Sequence, residues 1–233
     1  HGIETVGCDQ EHYPHLLREI EDFPTAIYVR GDVGALSRRT VAFVGTRKVS
    51  SYGQRMCDRL VQELHELLPD VVIVSGLAYG VDGECHRAAL AYGATTVGVV
   101  ANTLPNVTPA THSRLAADMV ANGGAIVTEL NSQTKQNGRF YIPRNRIIAA
   151  LSAGTVVVES AESGGSLSTA AFADGYNRSV MAVPGRAVDA NSLGCNLLIR
   201  NRKAQMVLSG RDIVEELRCE LGLDEMPHSK RDL

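Results

Sequence analysis

Short apolar stretches rich in β-branched residues recur along the chain, and each is followed by a loop and an amphipathic segment. Six of these stretches have the length and composition of strands: 40–44, 71–74, 95–100, 125–128, 155–159 and 179–183. Strands that alternate with helical patterns predict parallel βαβ units. Runs that are apolar throughout, such as 71–74, indicate a sheet that is buried on both faces. The pattern therefore predicts an α/β fold with a doubly wound, mostly parallel sheet, Rossmann-like in architecture.

The beginning of the chain departs from this rhythm. Residues 12–20 show a short helical pattern, and residues 26–30 have the alternation expected of an edge strand. We therefore predict that residues 1–36 form an N-terminal segment packed on the core.

The main Rossmann-like domain is predicted to span residues 37–221. Its last part, 197–208 and 212–221, has the pattern of a helix, a strand and a final helix. Residues 222–233 are predicted to be a polar tail. Because no internal repeat or low-complexity linker interrupts the chain, one main domain is favoured.

Composition narrows the class of protein. The chain has 233 residues, is 44% hydrophobic and contains 22 glycines, which is typical of a globular protein with many turns. Its apolar runs are strand-sized and far short of the roughly 20 residues that span a bilayer. We therefore expect a soluble protein with no membrane partner.

The start of the chain and its cysteines bear on the compartment. The chain opens with His1-Gly2, without Met and without the charged and apolar regions of a signal peptide, so we expect a cytoplasmic protein and consider a trimmed or processed piece. Five cysteines without a C-x-x-C pair predict reduced thiols, with neither a disulfide framework nor a metal site.

Charge is distributed unevenly. The formal net charge of -3 argues against a protein that is basic throughout. Cations nevertheless cluster at 38–39, 47–48, 139–146 and 200–203. A local basic patch of this kind can attract an anionic ligand even when the net charge is negative.

The segment 139–152 carries the strongest functional signal. It begins with aromatics and three arginines, and Pro143 suits the first position of a helix. Arginines at a helix start oppose the helix dipole, so folding alone would prefer acidic residues there. Cations, amide donors and flat rings in one place fit an anionic ligand with stackable bases, and single-stranded nucleic acid is the obvious candidate.

Arg144 and Arg146 are expected to have different roles. Two positions apart on a helix, they point about 200° from each other and cannot both grip one phosphate. We expect one to face the ligand and the other to brace the loop against a carboxylate such as Glu129 or Glu159. The alternative is that both are structural.

Loops at the carboxyl ends of strands are the usual ligand sites of such sheets. In the loop after the first core strand, glycine permits close approach of a ligand and Arg47 and Lys48 are positioned for phosphate; a tight turn with solvated cations is the alternative. The loop 164–166 and the helix after it offer backbone amides to an anion. A simple helix cap explains that loop about as well.

The loop 75–82 is less specific. It is not G-x-G-x-x-G, and no Walker A pattern occurs in the chain, so a dinucleotide or P-loop nucleotide is poorly supported and no cofactor is expected. Asp82 and His86 lie one helical turn apart, as an acid/base pair would. We favour the plainer interpretation, in which Asp82 complements the helix dipole and His86 is packed or on the surface.

Ordered motifs over about 200 residues resemble one known family. They are Tyr13-Pro14, Phe23-Pro24, Tyr28, Val44-Gly45-Thr46-Arg47, Ser75-Gly76-Leu77-Ala78, Gly80-Val81-Asp82, His86-Arg87-Ala88-Ala89-Leu90, Arg144-Asn145-Arg146-Ile147-Ile148-Ala149, Gly165-Ser166-Leu167, Val183-Pro184-Gly185, Gly194-Cys195-Asn196, Leu198-Ile199 and Asp212-Ile213. The sequence thereby resembles the bacterial DNA-processing protein A family, also called Smf. The resemblance implies a homodimer that binds and protects single-stranded DNA, helps load a RecA-type recombinase during natural transformation, and is not an enzyme.

The resemblance also implies site residues. Arg47 is expected to contact DNA phosphate, and a basic residue and an aromatic before Arg144 are expected to bind phosphate and stack on a base. Together with the loops above, the predicted DNA-binding set is Gly45, Thr46, Arg47, Lys48, Ser75, Gly76, Arg139, Phe140, Tyr141, Arg144, Asn145, Arg146, Gly164, Gly165 and Ser166.

Two departures from the family pattern affect these assignments. Tyr79 stands where the family usually has arginine, which removes a cation and offers a ring for stacking. Pro143 is displaced by one position, so the family's aromatic corresponds to Tyr141 without a gap or to Ile142 with one. Phe140 and Tyr141 are therefore both kept as stacking candidates.

The same resemblance leads us to expect self-association. An apolar set near the C-terminal end is the candidate interface: Leu197, Leu198, Ile199, Met206, Val207 and Leu208. Ordinary core packing explains this set nearly as well.

The rival function is a nucleotide phosphoribohydrolase that resembles the lysine-decarboxylase-like family. Gly164-Gly165-Ser166 weakly echoes the Pro-Gly-Gly-x-Gly-Thr loop of those enzymes. The expected Pro, the Gly-Thr context and the following acidic residue are missing, so this alternative is disfavoured.

Overall fold

A computed structural model describes residues 2–223 of the chain. The strands are β1 Ile3–Gly7, β2 Ala26–Gly31, β3 Thr40–Gly45, β4 Val72–Ser75, β5 Thr95–Val99, β6 Ala125–Thr128, β7 Gly154–Glu159, β8 Ser179–Ala182 and β9 Gln205–Met206. The α-helices are α1 His15–Arg18, α2 Ser51–Leu67, α3 Val81–Tyr92, α4 Ser113–Ala121, α5 Tyr141–Ala150, α6 Ser166–Gly175, α7 Leu193–Arg200 and α8 Gly210–Glu216.

All nine of these strands form one sheet in the order β1-β2-β6-β5-β4-β3-β7-β8-β9. Pairing is parallel from β6 to β9 and antiparallel between β1 and β2 and between β2 and β6. The six predicted core strands are present within one or two residues of their expected bounds. The predicted α/β fold with a doubly wound, mostly parallel sheet is confirmed.

Helices cover both faces of the sheet because alternate strand residues point to opposite sides. In β3, Ala42 and Val44 belong to an apolar cluster that includes Ile147 of α5. Val41 and Phe43 of the same strand belong to a second cluster, formed with α2, α3 and α8. A smaller cluster packs α4 against the β5–β6 end of the sheet.

The order of the strands reverses direction at β3. Chain connections run from β3 through β4 and β5 to β6 on one side, and then return to β7 on the other side of β3. This creates a topological switch point between β3 and β7, and in open α/β sheets ligands bind in the crevice beyond the carboxyl ends of such strands.

The N-terminal residues are more integrated than expected. The expected edge strand β2 lies inside the sheet, between β1 and β6, and the unpredicted β1 is the edge. The helical pattern at 12–20 yields only the four-residue α1. Tyr13 nevertheless anchors this segment, because its buried hydroxyl donates to Pro24 O at 2.6 Å.

At the C-terminal end, the expected helix, strand and helix are α7, β9 and α8. Leu223, the second residue of the predicted tail, is 3% exposed and packs in the second cluster. The rest of that tail, 224–233, lies outside the described residues. Within the described part of the chain, every helix is too short or too polar to cross a bilayer.

Candidate nucleic-acid interface

A cavity of about 430 Å³ lies at the topological switch point. The loops after β3 and β7 and the start of α5 enclose it. Nine residues of the predicted DNA-binding set line it: Gly45, Thr46, Arg47, Tyr141, Arg144, Asn145, Gly164, Gly165 and Ser166. Residues 45–47, 141–145 and 164–166 are far apart in sequence, and the fold brings them together.

The loop after β3 is held by its neighbours. Thr46 N donates to Glu159 O of β7 at 2.7 Å, and Thr46 O accepts from Val81 N at 3.1 Å. Gly80 has φ of +73° and lies so close to the Thr46 and Arg47 backbone that a side chain there would collide with it. The loop is thereby fixed while the Arg47 side chain remains exposed.

Arg47 and Tyr141 meet at the mouth of the cavity. Arg47 Cζ lies 5.0 Å from the centroid of the Tyr141 ring, which is within cation–π distance. Arg144 Cζ lies 6.0 Å from the same centroid. Two cations therefore flank one aromatic ring, an arrangement suited to a stacked base with a phosphate beside it.

Arg144 forms part of the cavity wall and is only 6% exposed. Its Nη1 donates to Gly76 O at 2.7 Å and also to Val99 O, so it joins α5 to the ends of β4 and β5. Burial lowers the pKa of Arg144 and raises the pKa of Asp82, and in each case the charge of the other residue opposes the shift. Asp82 acts as the buried counter-charge of Arg144, a role that its sequence position did not reveal.

Asn145 and Arg146 point to other elements. Asn145 Nδ2 donates to Ser168 Oγ of α6 at 2.9 Å. Arg146 Nη2 bonds Glu129 Oε2, and Arg146 Nε lies 3.4 Å from Asp22 Oδ2. The expected brace against Glu129 is therefore present, whereas Glu159 accepts from the Ser50 hydroxyl at 2.6 Å instead.

The predicted roles of Arg144 and Arg146 are corrected in one respect. Arg146 does not line the cavity, so its predicted contact with DNA has no support from its position. Arg144 does line the cavity, but its guanidinium is already bonded to main-chain oxygens. Arg144 thus faces the cavity and braces it at once.

Helix α5 begins two residues earlier than expected. Tyr141 is its first residue, and Pro143 occupies the third position. Proline is tolerated there because the first four N–H groups of a helix have no partner within the helix. The shift places Tyr141 on the cavity wall, whereas Phe140 lies outside it.

Arg139 and Phe140 form a second cation–π contact on a short 3-10 helix. Arg139 Cζ lies 5.2 Å from the Phe140 ring centroid, and Arg139 is exposed. Lys48 is exposed too, and its backbone oxygen accepts from Asn191. Lys48, Arg139 and Phe140 are adjacent in sequence to residues that line the cavity, but they do not line it themselves.

The loop 164–166 supplies the opposite wall. Ser166 begins α6 and its buried hydroxyl donates to Ser160 Oγ at 2.9 Å. At this helix start Leu167 N donates to Gly164 O and Ser168 N donates to Gly165 O, so the amides of Gly165 and Ser166 are the candidate donors to an anion. This position is also consistent with a simple helix start.

Ser75 is a correction. Its side chain is fully buried and donates to Phe43 O at 2.6 Å, so the structure does not offer it to a ligand. Gly76 is close to the site through its backbone oxygen, which accepts from Arg144.

His86 is packed rather than catalytic. It is fully buried and its Nδ1 lies 2.6 Å from Thr96 Oγ1. Because Thr96 Oγ1 donates its own hydrogen to Ile73 O, the imidazole Nδ1 carries the donated proton. Burial and the nearby His112 lower the pKa of His86 to about 3. Asp82 lies in the first turn of α3, as the plainer interpretation expects.

The six residues predicted to mediate self-association differ in how far they are buried. Val207 is fully buried and is removed from a candidate interface, whereas Met206 and Leu208 are 46% and 51% exposed. Leu198 and Ile199 are partly buried and pack on the core. Leu197 lines a small surface hollow of about 90 Å³.

Two exposed side chains that the sequence analysis discussed were left out of the predicted DNA-binding set. Ile142 lines the cavity and is 62% exposed, and Tyr79 is 50% exposed at the end of β4. An aromatic in a strand-end loop was a visible signal for Tyr79. For Ile142 the signal was its possible alignment, with a gap, to the family's aromatic position.

The fold and the cavity define an α/β protein whose strand-end loops are arranged for a phosphate-containing ligand with a stackable base. The family model for DNA recombination-mediator protein A matches residues 4–218. The chain belongs to this family.

Several relatives show the extent of the match. The chain is 37% identical over 226 residues to Protein Smf of Escherichia coli, covering 95% of this chain and 58% of that protein. The X-ray structure of DNA processing protein A from Streptococcus pneumoniae superposes with a TM-score of 0.84 at 33% identity, covering 92% of this chain and 74% of that one.

A third relative is a solved structure of a protein that is described as binding single-stranded DNA. DNA processing protein A from Helicobacter pylori, described for its unique single-stranded DNA binding mode, superposes with a TM-score of 0.80 at 26% identity. The match covers 94% of this chain and 96% of that one. The chain thus spans nearly all of one structural relative and little more than half of the Escherichia coli protein.

Proposed function

We propose that this protein binds single-stranded DNA in the cavity at the β3–β7 switch point and mediates loading of a RecA-type recombinase onto that DNA. In this proposal it protects incoming DNA during natural transformation and acts in the cytoplasm without catalysis. The observation that carries the proposal is the Arg47–Tyr141 pair at the mouth of the cavity. Membership of the recombination-mediator family supports the recombinase role.

The geometry fits one nucleotide of a strand better than a freely diffusing substrate. Tyr141 offers a ring for a base, Arg47 offers an exposed cation for a phosphate, and the start of α6 adds backbone donors. Binding that depends on phosphate contacts and sequence-tolerant stacking suits single strands of any sequence.

The hydrolase alternative is not favoured. Asp82 is the acidic residue among the cavity-lining side chains, and it is buried as the counter-charge of Arg144. A hydrolytic site needs a carboxylate or histidine that is available to a substrate or a water. His86 does not line the cavity.

A salt titration tests the DNA-binding proposal. We expect a labelled oligothymidylate to bind with an affinity that falls steeply between about 50 and 200 mM salt, because phosphate contacts release counterions. Arg47→Ala should weaken binding and lower the salt slope by about 0.7, the value for one phosphate contact on a single strand. Arg59→Ala, which removes an exposed arginine paired with Glu63 on α2, is the matched control and should leave both unchanged. Absent or salt-independent binding by the wild type would contradict the proposal.

We also propose a homodimer whose interface lies along the β9 edge of the sheet. Strand β9 is the edge strand there, and Met206 of β9 and Leu208, two residues after it, are exposed apolar side chains. Light scattering should report the mass of a dimer for the wild type and that of a monomer for Met206→Glu/Leu208→Glu. A monomer mass for the wild type across micromolar concentrations would refute the dimer alone.

Recombinase loading needs its own assay. The protein should accelerate formation of RecA-type filaments on single-stranded DNA coated with a single-strand-binding protein. Arg47→Ala should lose this effect, and the dimer-edge variant tests whether loading needs two copies. Unchanged filament formation with the wild type would leave DNA binding intact and reject the loading role.

A further inference from the structure

Tyr79 has an environment unlike that of the other aromatic side chains. It is 50% exposed, whereas the remaining tyrosines and phenylalanines of the described chain are half-buried or buried. It lies in the loop between β4 and α3, at the carboxyl edge of the sheet where the cavity opens. Nothing in the packing of the core accounts for a large ring at this position.

The exposed ring is held in a defined position. The Tyr79 hydroxyl lies 3.1 Å from Thr111 Oγ1, within hydrogen-bond distance. Its ring meets the ring of His112 edge-on, with centroids 5.3 Å apart. His112 is itself buried and bonds Leu77 O through Nδ1 at 2.9 Å. An aromatic ring that is held by its hydroxyl and by a neighbouring ring while it remains half exposed is preorganised for stacking, because binding would freeze little additional motion.

Tyr79 is also contiguous with the proposed DNA site. Ala78, its neighbour in sequence, lines the cavity. Gly80, its other neighbour, packs directly on the backbone of Thr46 and Arg47. The Arg47 side chain lies against Tyr141. Arg47 is therefore flanked by Tyr141 through its side chain and by the Tyr79 loop through its backbone.

Two rings with a cation between them would suit a single strand of DNA. A phosphate lies between successive bases, so a cation placed between two rings can bind the phosphate while each ring stacks on a base. Tyr141, which contacts the Arg47 guanidinium, and Tyr79, whose loop packs on the Arg47 backbone, are the candidates for the two ring positions.

We propose that Tyr79 is a second base-stacking platform, which binds the nucleotide adjacent to the one held at the cavity. The inference rests on the proposed binding of single-stranded DNA. It adds a direction to that binding, because the strand runs from the β3–β7 crevice across the end of β4 toward Thr111 and the start of α4.

Fluorescence offers a direct test because the chain contains no tryptophan. In Tyr79→Trp the new indole is the sole tryptophan, and a base stacked on an indole quenches its emission. We expect an oligothymidylate to quench this emission in parallel with binding measured by anisotropy. Leu67→Trp is the matched control, since Leu67 is 40% exposed at the far end of α2, and its emission should be unchanged.

The affinity of variants that remove or keep the ring at position 79 provides the second measurement. Tyr79→Leu removes the ring and should weaken oligothymidylate binding by roughly 5- to 150-fold, the range that stacking of one base spans. Its salt slope should equal that of the wild type, because no phosphate contact is lost. Tyr79→Phe keeps the ring and should bind nearly as the wild type does.

The outcomes separate the two proposals. Wild-type affinity in Tyr79→Leu, or an unquenched tryptophan at position 79 while anisotropy reports full binding, would overturn the Tyr79 platform and leave the DNA site standing. Absence of binding by the wild type would overturn both. Quenching at position 79 alone, with the loss in Tyr79→Leu and retention in Tyr79→Phe, supports the platform.

Discussion

The guanidinium of Arg47 lies over the ring of Tyr141, with Arg47 Cζ 5.0 Å from the ring centroid. The two residues come from different elements, Arg47 from the loop after β3 and Tyr141 from the first turn of α5. The contact therefore joins the two sides of the cavity mouth. Because a base that stacks on this face of Tyr141 would replace the guanidinium, Arg47 is available for the phosphate once the base is bound.

The Arg47–Tyr141 relationship predicts non-additive effects on DNA binding. Tyr141→Leu should weaken oligothymidylate binding by about 1 to 3 kcal/mol through loss of stacking. The double variant with Arg47→Ala should differ from the sum of the single changes by about 0.5 kcal/mol or more, because the two residues are in contact. A double-mutant cycle by anisotropy measures this coupling, and strict additivity would show that the pair does not act as a unit.

Phe140 is the matched control for Tyr141. It lies next in sequence and contacts a cation too, but it is outside the cavity lining. Phe140→Leu should therefore weaken binding less than Tyr141→Leu. The reverse order would assign the principal stacking role to Phe140.

Arg146 is predicted to stabilise the fold rather than bind DNA. Its side chain is 14% exposed and its partner Glu129 is 21% exposed, so Arg146→Met leaves a largely buried carboxylate without its cation. We expect a loss of about 1 to 3 kcal/mol in the free energy of unfolding, less than for a fully buried pair. Urea unfolding measures the loss, and the salt slope of DNA binding should be unchanged.

The exposed ion pair between Lys203 and Asp174 provides the control for the stability loss in Arg146→Met. Lys203 and Asp174 are 61% and 52% exposed, so Lys203→Met should cost less than about 1 kcal/mol. Equal losses in the two variants, or a reduced salt slope in Arg146→Met, would contradict the bracing role.

We predict that position 76 must be glycine, because the buried Asp82 and Arg144 leave no room for a side chain there. A Cβ there would lie 2.6 Å from Asp82 Oδ2 and 2.8 Å from Arg144 Nη1, so Gly76→Ala must displace the buried pair. We expect a loss of about 1 to 3 kcal/mol in stability, as for other overpacked cores, together with weaker DNA binding. Gly175→Ala at the end of α6, where nothing lies within 4 Å, should leave DNA binding unchanged. Wild-type behaviour of Gly76→Ala would show that Arg144 is not held tightly.

Much of the fold could be predicted from the sequence because its information is local. Buried parallel strands are short β-branched runs, and six of them were located from that property alone. Helical geometry also predicted different roles for Arg144 and Arg146, although it left open which of them braces the loop and whether Glu129 or Glu159 is the partner. These inferences needed only the spacing of residues that are close in sequence.

The rest depends on long-range pairing that leaves little local signal. The insertion of β2 between β1 and β6 is set by backbone hydrogen bonds, which any sequence can form. Arg144 bonds the main-chain oxygens of Gly76 and Val99, and a carbonyl partner has no residue signature. Val207 and Leu208 are adjacent and both apolar, so only the structure shows that one is buried and the other exposed.

His86 predicts how stability depends on pH. Its folded pKa of about 3 lies below the ordinary histidine value of 6.5, so between these pH values the unfolded chain binds a proton that the folded chain does not. The physical reason is that protonation would put a charged N–H on the buried Nε2, which has no hydrogen-bond partner. Stability from this group is therefore full above about pH 6.5 and is lost as the pH falls toward 3, with a slope of up to about 1.4 kcal/mol per pH unit.

Unfolding in urea at a series of pH values tests this dependence. Relative to His86→Gln, which carries no titratable group, the wild type should lose stability steadily below about pH 6.5. The buried amide makes His86→Gln less stable at neutral pH, so the informative quantity is the difference in slope and not the difference in stability. His15→Gln, at the exposed start of the short helix α1, is the matched control for replacing a histidine by glutamine. Parallel slopes for the wild type and His86→Gln would mean that this imidazole accepts a proton in the folded protein.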